Sequence, residues 1–223
     1  MDVHTTEQEQ IEALKKWWKE NGNSIVVGVL LGVSALLAGK AWFGYRSTQA
    51  GNASTLFVQM LNALDSKQTE TARKMGDEIE THYSGTGYAV PSAMALARMA
   101  VEAGDLPEAR TRLEWAVEHS GDDAMRHTAR QRLLRVLIDT GDYAAAQAQL
   151  DSVKDQKVGV YQYGYTVLRG DLALAQGKTD AARDAYKTAL DTQPSEATDG
   201  ALVRMKYENL IDQPAPSGEE PVQ

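Results

Sequence analysis

Four histidines, His4, His82, His119 and His127, and the adjacent Asp122 and Asp123 are the residues whose types could support metal or acid–base chemistry. Their spacing organises neither. A metal helix needs two imidazoles one turn apart with a glutamate beside them, and no H-E-x-x-H stretch is present. His119 and His127 flank the two aspartates where a polar junction between helices is expected in any case. Neither a G-x-S-x-G nucleophile elbow nor a phosphate loop occurs. Gly85-x-Gly87 is a lone loop signal, Arg169-Gly170-Asp171 falls inside a helical pattern, and Asn52-Ala53-Ser54 is a chance glycosylation triplet. Zero cysteines exclude a disulfide framework, a thiolate zinc site and a cysteine nucleophile. No catalytic residue, cofactor site or metal site is expected, and the chain reads as a non-enzyme.

The residue types that remain are those of packing and binding. From Asn21 to Gly39 there are 19 residues without a charge, and apolar character resumes after Lys40 through Ala41, Trp42, Phe43 and Tyr45. A helix needs about 20 such residues to cross about 30 Å of hydrocarbon. Lys40 can carry its ammonium to the headgroups, where the rings of Trp42 and Tyr45 are also favoured. A cleaved signal fits poorly: the preceding segment carries Glu7, Glu9, Glu12 and Glu20, and Gly39-Lys40-Ala41 is a poor cleavage site. Residues 23–45 are therefore expected to form one uncleaved transmembrane helix. Lys15, Lys16 and Lys19 before it, against Lys40 and Arg46 after it, place the amino terminus in the cytoplasm.

Within the span, Ser24, Gly28, Gly32, Ala35 and Gly39 fall within roughly 80° of one helix face at about 100° per residue. Gly28-x-x-x-Gly32 is the pattern that lets a second helix approach closely in lipid, although glycine is also common in spans for no such reason. Before the span, residues 1–22 read as a short amphipathic arm. Thr6 and Glu9 make a capping box, Ile11, Leu14, Trp17 and Trp18 an apolar face, and Asn21-Gly22 a helix stop. The arm either lies on the inner leaflet or is solvated and anchored only by its tryptophans.

The formal charge of −8 belongs entirely to residues 47–223, with 18 Lys/Arg against 26 Asp/Glu, and excludes nucleic acid as the main partner. Here the chain repeats itself. Gly104, Gly141 and Gly177 align three segments in which one helix ends before the glycine and another starts after it. Ala109, Ala146 and Ala182 lie five residues beyond, then come Leu113, Leu150 and Tyr186, then Ala116, Val153 and Ala189. Small residues let the paired helices cross closely and a large one fills the gap a turn later. The pattern resembles the tetratricopeptide repeat, and Gly170 and Pro194 strengthen the third copy. Residues 53–83 read as a degenerate leading pair, with Leu56, Met60 and Leu64 facing Ala72, Met75 and Ile79. Residues 195–212 read as a capping helix with Leu202, Met205 and Leu210 on its buried face, and 213–223 as a disordered acidic tail.

The expected fold is thus all-α: one transmembrane helix, then an α-solenoid of divergent tetratricopeptide-like pairs over 46–212, closed by a capping helix. Stacked pairs create a concave surface lined by the first helix of each repeat. With each aligning glycine at position fifteen, the inward positions five, nine and twelve are Met94, Arg98 and Val101; Gln131, Arg135 and Ile138; and Val167, Asp171 and Leu174. An apolar lining with two arginines and an aspartate suits an extended or helical polypeptide. Each of these residues could instead be packed against a neighbouring helix.

The arrangement as a whole, with "EALKKWWKENG" at Glu12–Gly22, a glycine-bearing span and divergent repeats, resembles the YfgM-like family of ancillary SecYEG translocon subunits. The resemblance implies a single-pass inner-membrane protein with a periplasmic repeat domain. It also implies association with SecYEG and with a PpiD-like membrane-anchored chaperone, helping to hand over emerging client polypeptides. No catalytic residues are carried over. A second reading of the same residues is an adaptor for another envelope pathway, such as cytochrome or cell-wall assembly.

Overall fold

The computed structural model describes residues 3–154, 156, 158–192, 194 and 199–211, with side chains from residue 9 onward. The expected tail at 213–223 and the Thr6 side chain lie outside the described residues. The chain divides into two compact units, Met1–Asn52 and Ala53–Gln223.

The first unit is a single helical stretch, part of α1 (Val3–Asp65). Two local expectations are corrected here. Thr6 lies inside the helix rather than at its cap, and α1 runs through Asn21 and Gly22 without stopping. The reason is local: the Asn21 side-chain amide donates to the Trp17 carbonyl at 3.0 Å, and Gly22 is covered by Trp18. A Cβ on Gly22 would come within 3.1 Å of that indole, so its missing side chain seats the ring. The arm and the apolar stretch are therefore one helix. Trp18 and Trp42 are 24 positions apart, about 36 Å at 1.5 Å per residue, which brackets a hydrocarbon layer of about 30 Å. Val26, Val29, Leu30, Val33, Leu36 and Leu37 are exposed along the stretch.

The second unit is all helical among the described residues, apart from turns. It comprises α1 from Ala53, α2 (Thr69–His82), α3 (Ala89–Glu102), α4 (Leu106–His119), α5 (Asp123–Asp139), α6 (Tyr143–Asp151), a 3₁₀ turn (Gly159–Tyr161), α7 (Gln162–Ala175), α8 (Thr179–Asp191) and α9 (Gly200–Ile211). The aligning glycines end α3, α5 and α7 in one geometry. Gly104, Gly141 and Gly177 have φ of 77°, 75° and 73°, a left-handed conformation that costs glycine nothing. The next N–H in each case bonds five residues back: Asp105 to Ala100 at 2.8 Å, Asp142 to Leu137 at 2.9 Å, Lys178 to Ala173 at 2.9 Å. Asp105 and Asp142 then cap the following helices, accepting from the N–H of Glu108 and Ala145.

The leading pair uses the same turn. Lys67 has φ of 56°, and Gln68 N–H bonds to Ala63 at 2.8 Å. Its position continues the spacing of the glycines, hidden from a glycine-based alignment because a lysine occupies the left-handed site. A side chain there costs about 1–2 kcal/mol, against about 0.4–1 kcal/mol of extra unfolded-state freedom for glycine. Lys67→Gly is thus expected to stabilise the domain by roughly 0.5–1 kcal/mol. Chemical denaturation of the two proteins checks this, and a destabilised variant would count against the left-handed turn.

The packing rule read from the repeats holds. Ala109, Ala146, Ala182, Ala116 and Ala189 are fully buried, as is Tyr186, with Leu113, Leu150 and Val153 nearly so. They join one core running from α3 to α7 and a second formed by α7, α8 and α9. A third cluster joins Met60 and Ala63 of α1 to Ala72 of α2 and Leu96 of α3. The α9 face is corrected: Val203 and Leu210 are buried, while Leu202 and Met205 are exposed. Apolar residues lie on two sides of this helix, and contact with Tyr163 and Tyr186 selects the Val203 side.

Asp142 also accepts from Arg110 of α4 at 2.7 Å. Its carboxyl is held below the ordinary 3.8, by the Ala145 N–H first and the Arg110 guanidinium second. A depressed folded value means that this stabilisation is complete above 3.8 and is lost as pH falls through the folded value. Asp142→Asn should therefore have a lower Tm than the parent at neutral pH, with the gap closing in acid. A pH-independent gap in thermal melts would sink this assignment.

Candidate functional site

His119 and His127 are each engaged by a neighbouring aromatic residue, and His82 is exposed. His119 stacks on Trp115 at 4.3 Å between ring centroids, and His127 Nδ1 lies 2.9 Å from the hydroxyl of the buried Tyr165. Burial lowers the His127 pKa below its usual 6.5, with Arg130 adding to the effect. Among the described residues no three His, Cys, Asp or Glu side chains converge on a metal-sized site.

What the fold does build is a groove of about 370 Å³ between α3 and α5. Met94, Ala97, Arg98 and Val101 come from α3, and Arg132, Arg135, Val136 and Asp139 from α5, with Leu113 of α4 behind them. Four of the nine residues expected to line a concave surface are brought together here: Met94, Arg98, Val101 and Arg135. Met94 is mostly buried at the floor, while Val101 and both arginines are exposed. Arg98 is held at 2.7 Å by Glu102 one turn away.

The other five lie elsewhere. Gln131 turns its amide to the Tyr161 carbonyl at 3.2 Å and fills the space over Gly164. Ile138 packs on the main core, Val167 is buried against α9, and Leu174 is exposed. Asp171 is spent internally, accepting from the Tyr186 hydroxyl and from Lys206, each at 2.6 Å. Position five therefore looks into the neighbouring helix pair, and position nine of the third copy fastens the capping helix. Arg132, Val136 and Asp139 were not among the expected lining residues. They sit one position beyond Gln131, Arg135 and Ile138, so a one-residue shift along α5 finds them.

In the first unit, Ser24, Gly28, Gly32 and Ala35 are exposed and Gly39 half-buried. A Cβ built on Gly28, Gly32 or Gly39 would meet nothing within 4 Å, so the stripe is open along one side of the helix. The stretch is one helix long and apolar enough to cross a membrane.

The tetratricopeptide repeat-like domain family matches residues 15–212. Among curated proteins the chain is similar to the "Ancillary SecYEG translocon subunit" of Haemophilus influenzae, 29% identical over 205 residues, covering 92% of this chain and 97% of that protein. The protein of the same name from Escherichia coli is 26% identical over 213 residues, covering 94% and 99%. That from Neisseria gonorrhoeae is 23% identical over 212 residues, covering 94% and 100%. These relatives carry the name that the sequence resemblance implied, and the similarity includes the span as well as the repeats.

Proposed function

The chain belongs to the tetratricopeptide repeat-like domain family, and from that premise we propose that it is a non-enzymatic scaffold of the SecYEG translocon in the bacterial inner membrane. The observation that carries this reading is near end-to-end similarity to ancillary SecYEG translocon subunits, in a chain that joins an apolar helix to stacked helix pairs. Residues 1–22 lie on the cytoplasmic side, 23–45 cross the membrane, 46–212 form the periplasmic repeat domain and 213–223 the tail. The excess of lysines before the span supports this orientation. The stripe from Ser24 to Gly39 packs against a helix of the channel or of a PpiD-like chaperone. The α3–α5 groove holds a chaperone segment or an emerging client, because it combines an apolar floor with charged side chains that fix a peptide.

Photocrosslinkers at Gly28 and Gly32 in native membranes should capture a SecYEG subunit or the chaperone. Capture of lipid alone, or of cytochrome or cell-wall assembly factors instead, would overturn the assignment. Arg98→Glu with Arg135→Glu is expected to weaken peptide capture by the groove about tenfold while leaving membrane association intact, since rim charges act on the partner and not on the fold. Unchanged capture by the folded double variant would remove the groove from the mechanism.

A further inference from the structure

We propose that the α3–α5 groove selects acidic amphipathic polypeptide segments, taking one apolar side chain into its floor and the neighbouring carboxylates onto Arg132 and Arg135. This rests on the reading of the groove as a polypeptide site and names the class of polypeptide. Three features of the rim carry it.

The first is the state of the arginines. Arg110, Arg112, Arg126 and Arg183 are each held by a carboxylate of the domain, and Arg98 by Glu102. Arg132 and Arg135 make no ion pair or side-chain hydrogen bond among the described residues, although Asp139 lies in the same lining. Two exposed guanidiniums with unused forks beside an apolar floor can each bind a carboxylate in bidentate fashion.

The second is their spacing. Positions 132 and 135 are three apart on α5 and lie on one face, about 5–6 Å from each other. Carboxylates on alternate residues of an extended segment are about 6.5–7 Å apart, and those one helical turn apart match equally well. The third is the field around them. Residues 47–223 carry 26 acidic against 18 basic residues, so a groove with three arginines against Asp139 and Glu102 is locally positive. An acidic segment is repelled from most of the surface and attracted here. The groove lined by Arg169 and Lys178 is also positive, but it offers one guanidinium where this groove offers two unpaired forks on one helix face, which gives selectivity at modest affinity.

The test uses the full chain in detergent and three synthetic peptides that share one apolar residue, flanked by two glutamates, two glutamines or two lysines. Fluorescence anisotropy at low salt is expected to give binding about tenfold tighter for the glutamate peptide than for the glutamine peptide, fading as salt screens the rim. The preference should vanish in Arg132→Gln with Arg135→Gln, two exposed positions whose change leaves the circular dichroism and Tm unaltered. Equal binding of the glutamate and glutamine peptides would overturn the acidic selectivity while leaving the groove as a polypeptide site. Binding of none would overturn both readings. A glutamate preference that survives in the double variant would place the site elsewhere. Truncation after Ile211 should leave the glutamate peptide's affinity unchanged; sharp tightening would make the chain's own Glu219 and Glu220 the resting occupant and overturn an external segment in that role.

Discussion

Arg112→Ala is expected to destabilise the repeat domain by about 3–5 kcal/mol, the range for removing one partner of a buried ion pair. Arg112 of α4 is the only described bridge to two acids of α2. Its Nη1 donates to Glu80 at 2.9 Å, Nη2 to Asp77 at 2.5 Å, and Nε to Glu108 on its own helix at 2.8 Å. The arginine side chain is 13% exposed and that of Glu80 10%, so solvent screens little of this. Burial opposes the arginine's charge, but the hydrogen bond it donates to Glu108 and the charges of Glu80 and Asp77 outweigh it, and its pKa is raised. For Glu80 the balance tips the other way. Burial raises its pKa above the usual 4.5 by more than Arg112 lowers it, and its second oxygen, Oε1, has no hydrogen-bond partner among the described residues.

A raised carboxyl value means that the folded state binds the proton more tightly than the unfolded one. Its contribution therefore falls as pH rises from 4.5 through the folded value. With Arg112 gone, that value rises further. The Arg112→Ala deficit should be larger at mildly alkaline than at mildly acidic pH, and Glu80→Gln in the same chain should recover part of it. Urea unfolding at both pH values measures this. A deficit independent of pH, or unrelieved by Glu80→Gln, would mean that Arg112 acts through its stem alone.

Gly170→Leu should cost about 3–5 kcal/mol, because it displaces a buried aromatic ring. A Cβ at Gly170 would lie 2.5 Å from Cε1 and 2.7 Å from Cδ1 of Tyr186. That ring is fully buried and cannot swing away, since its hydroxyl is tied to Asp171, which also receives Lys206 of α9. Burial, with the Asp171 charge added, pushes the Tyr186 hydroxyl pKa up, so the phenol remains a hydrogen-bond donor. Gly170→Ala gains about 1 kcal/mol of helix propensity against about 1–3 kcal/mol of overpacking, so its net cost is smaller, about 0–2 kcal/mol. In a Tyr186→Ala background the space is open and Gly170→Ala should cost nothing. Additive effects in that double-mutant cycle would show that the contact is not what requires the glycine. Limited proteolysis in α8 and α9 should rise in Gly170→Leu, because both helices are fastened through the displaced ring.

Membrane helix, helix pairs and their period were legible in the sequence because each rests on local rules. An uncharged stretch of sufficient length, a glycine in the left-handed turn position and alanines at fixed distances beyond it carry their meaning within one or two turns of chain. The same reliance on residue type hid the fourth turn at Lys67, and it read Asn21-Gly22 as a stop where Trp18 and the Asn21 amide keep the helix whole. The groove was half legible: the sequence named Met94, Arg98, Val101 and Arg135, but Arg132, Val136 and Asp139 depend on how α5 is rotated against α3. Whether Asp171 faces a ligand or fastens α9, and which side of α9 is buried, likewise turn on partners 15 and 35 residues away. Local backbone chemistry sets where helices start, stop and repeat. The rotation of each helix about its axis is settled only when side chains distant in sequence compete for the same space, and that competition decided which charges were left free to bind.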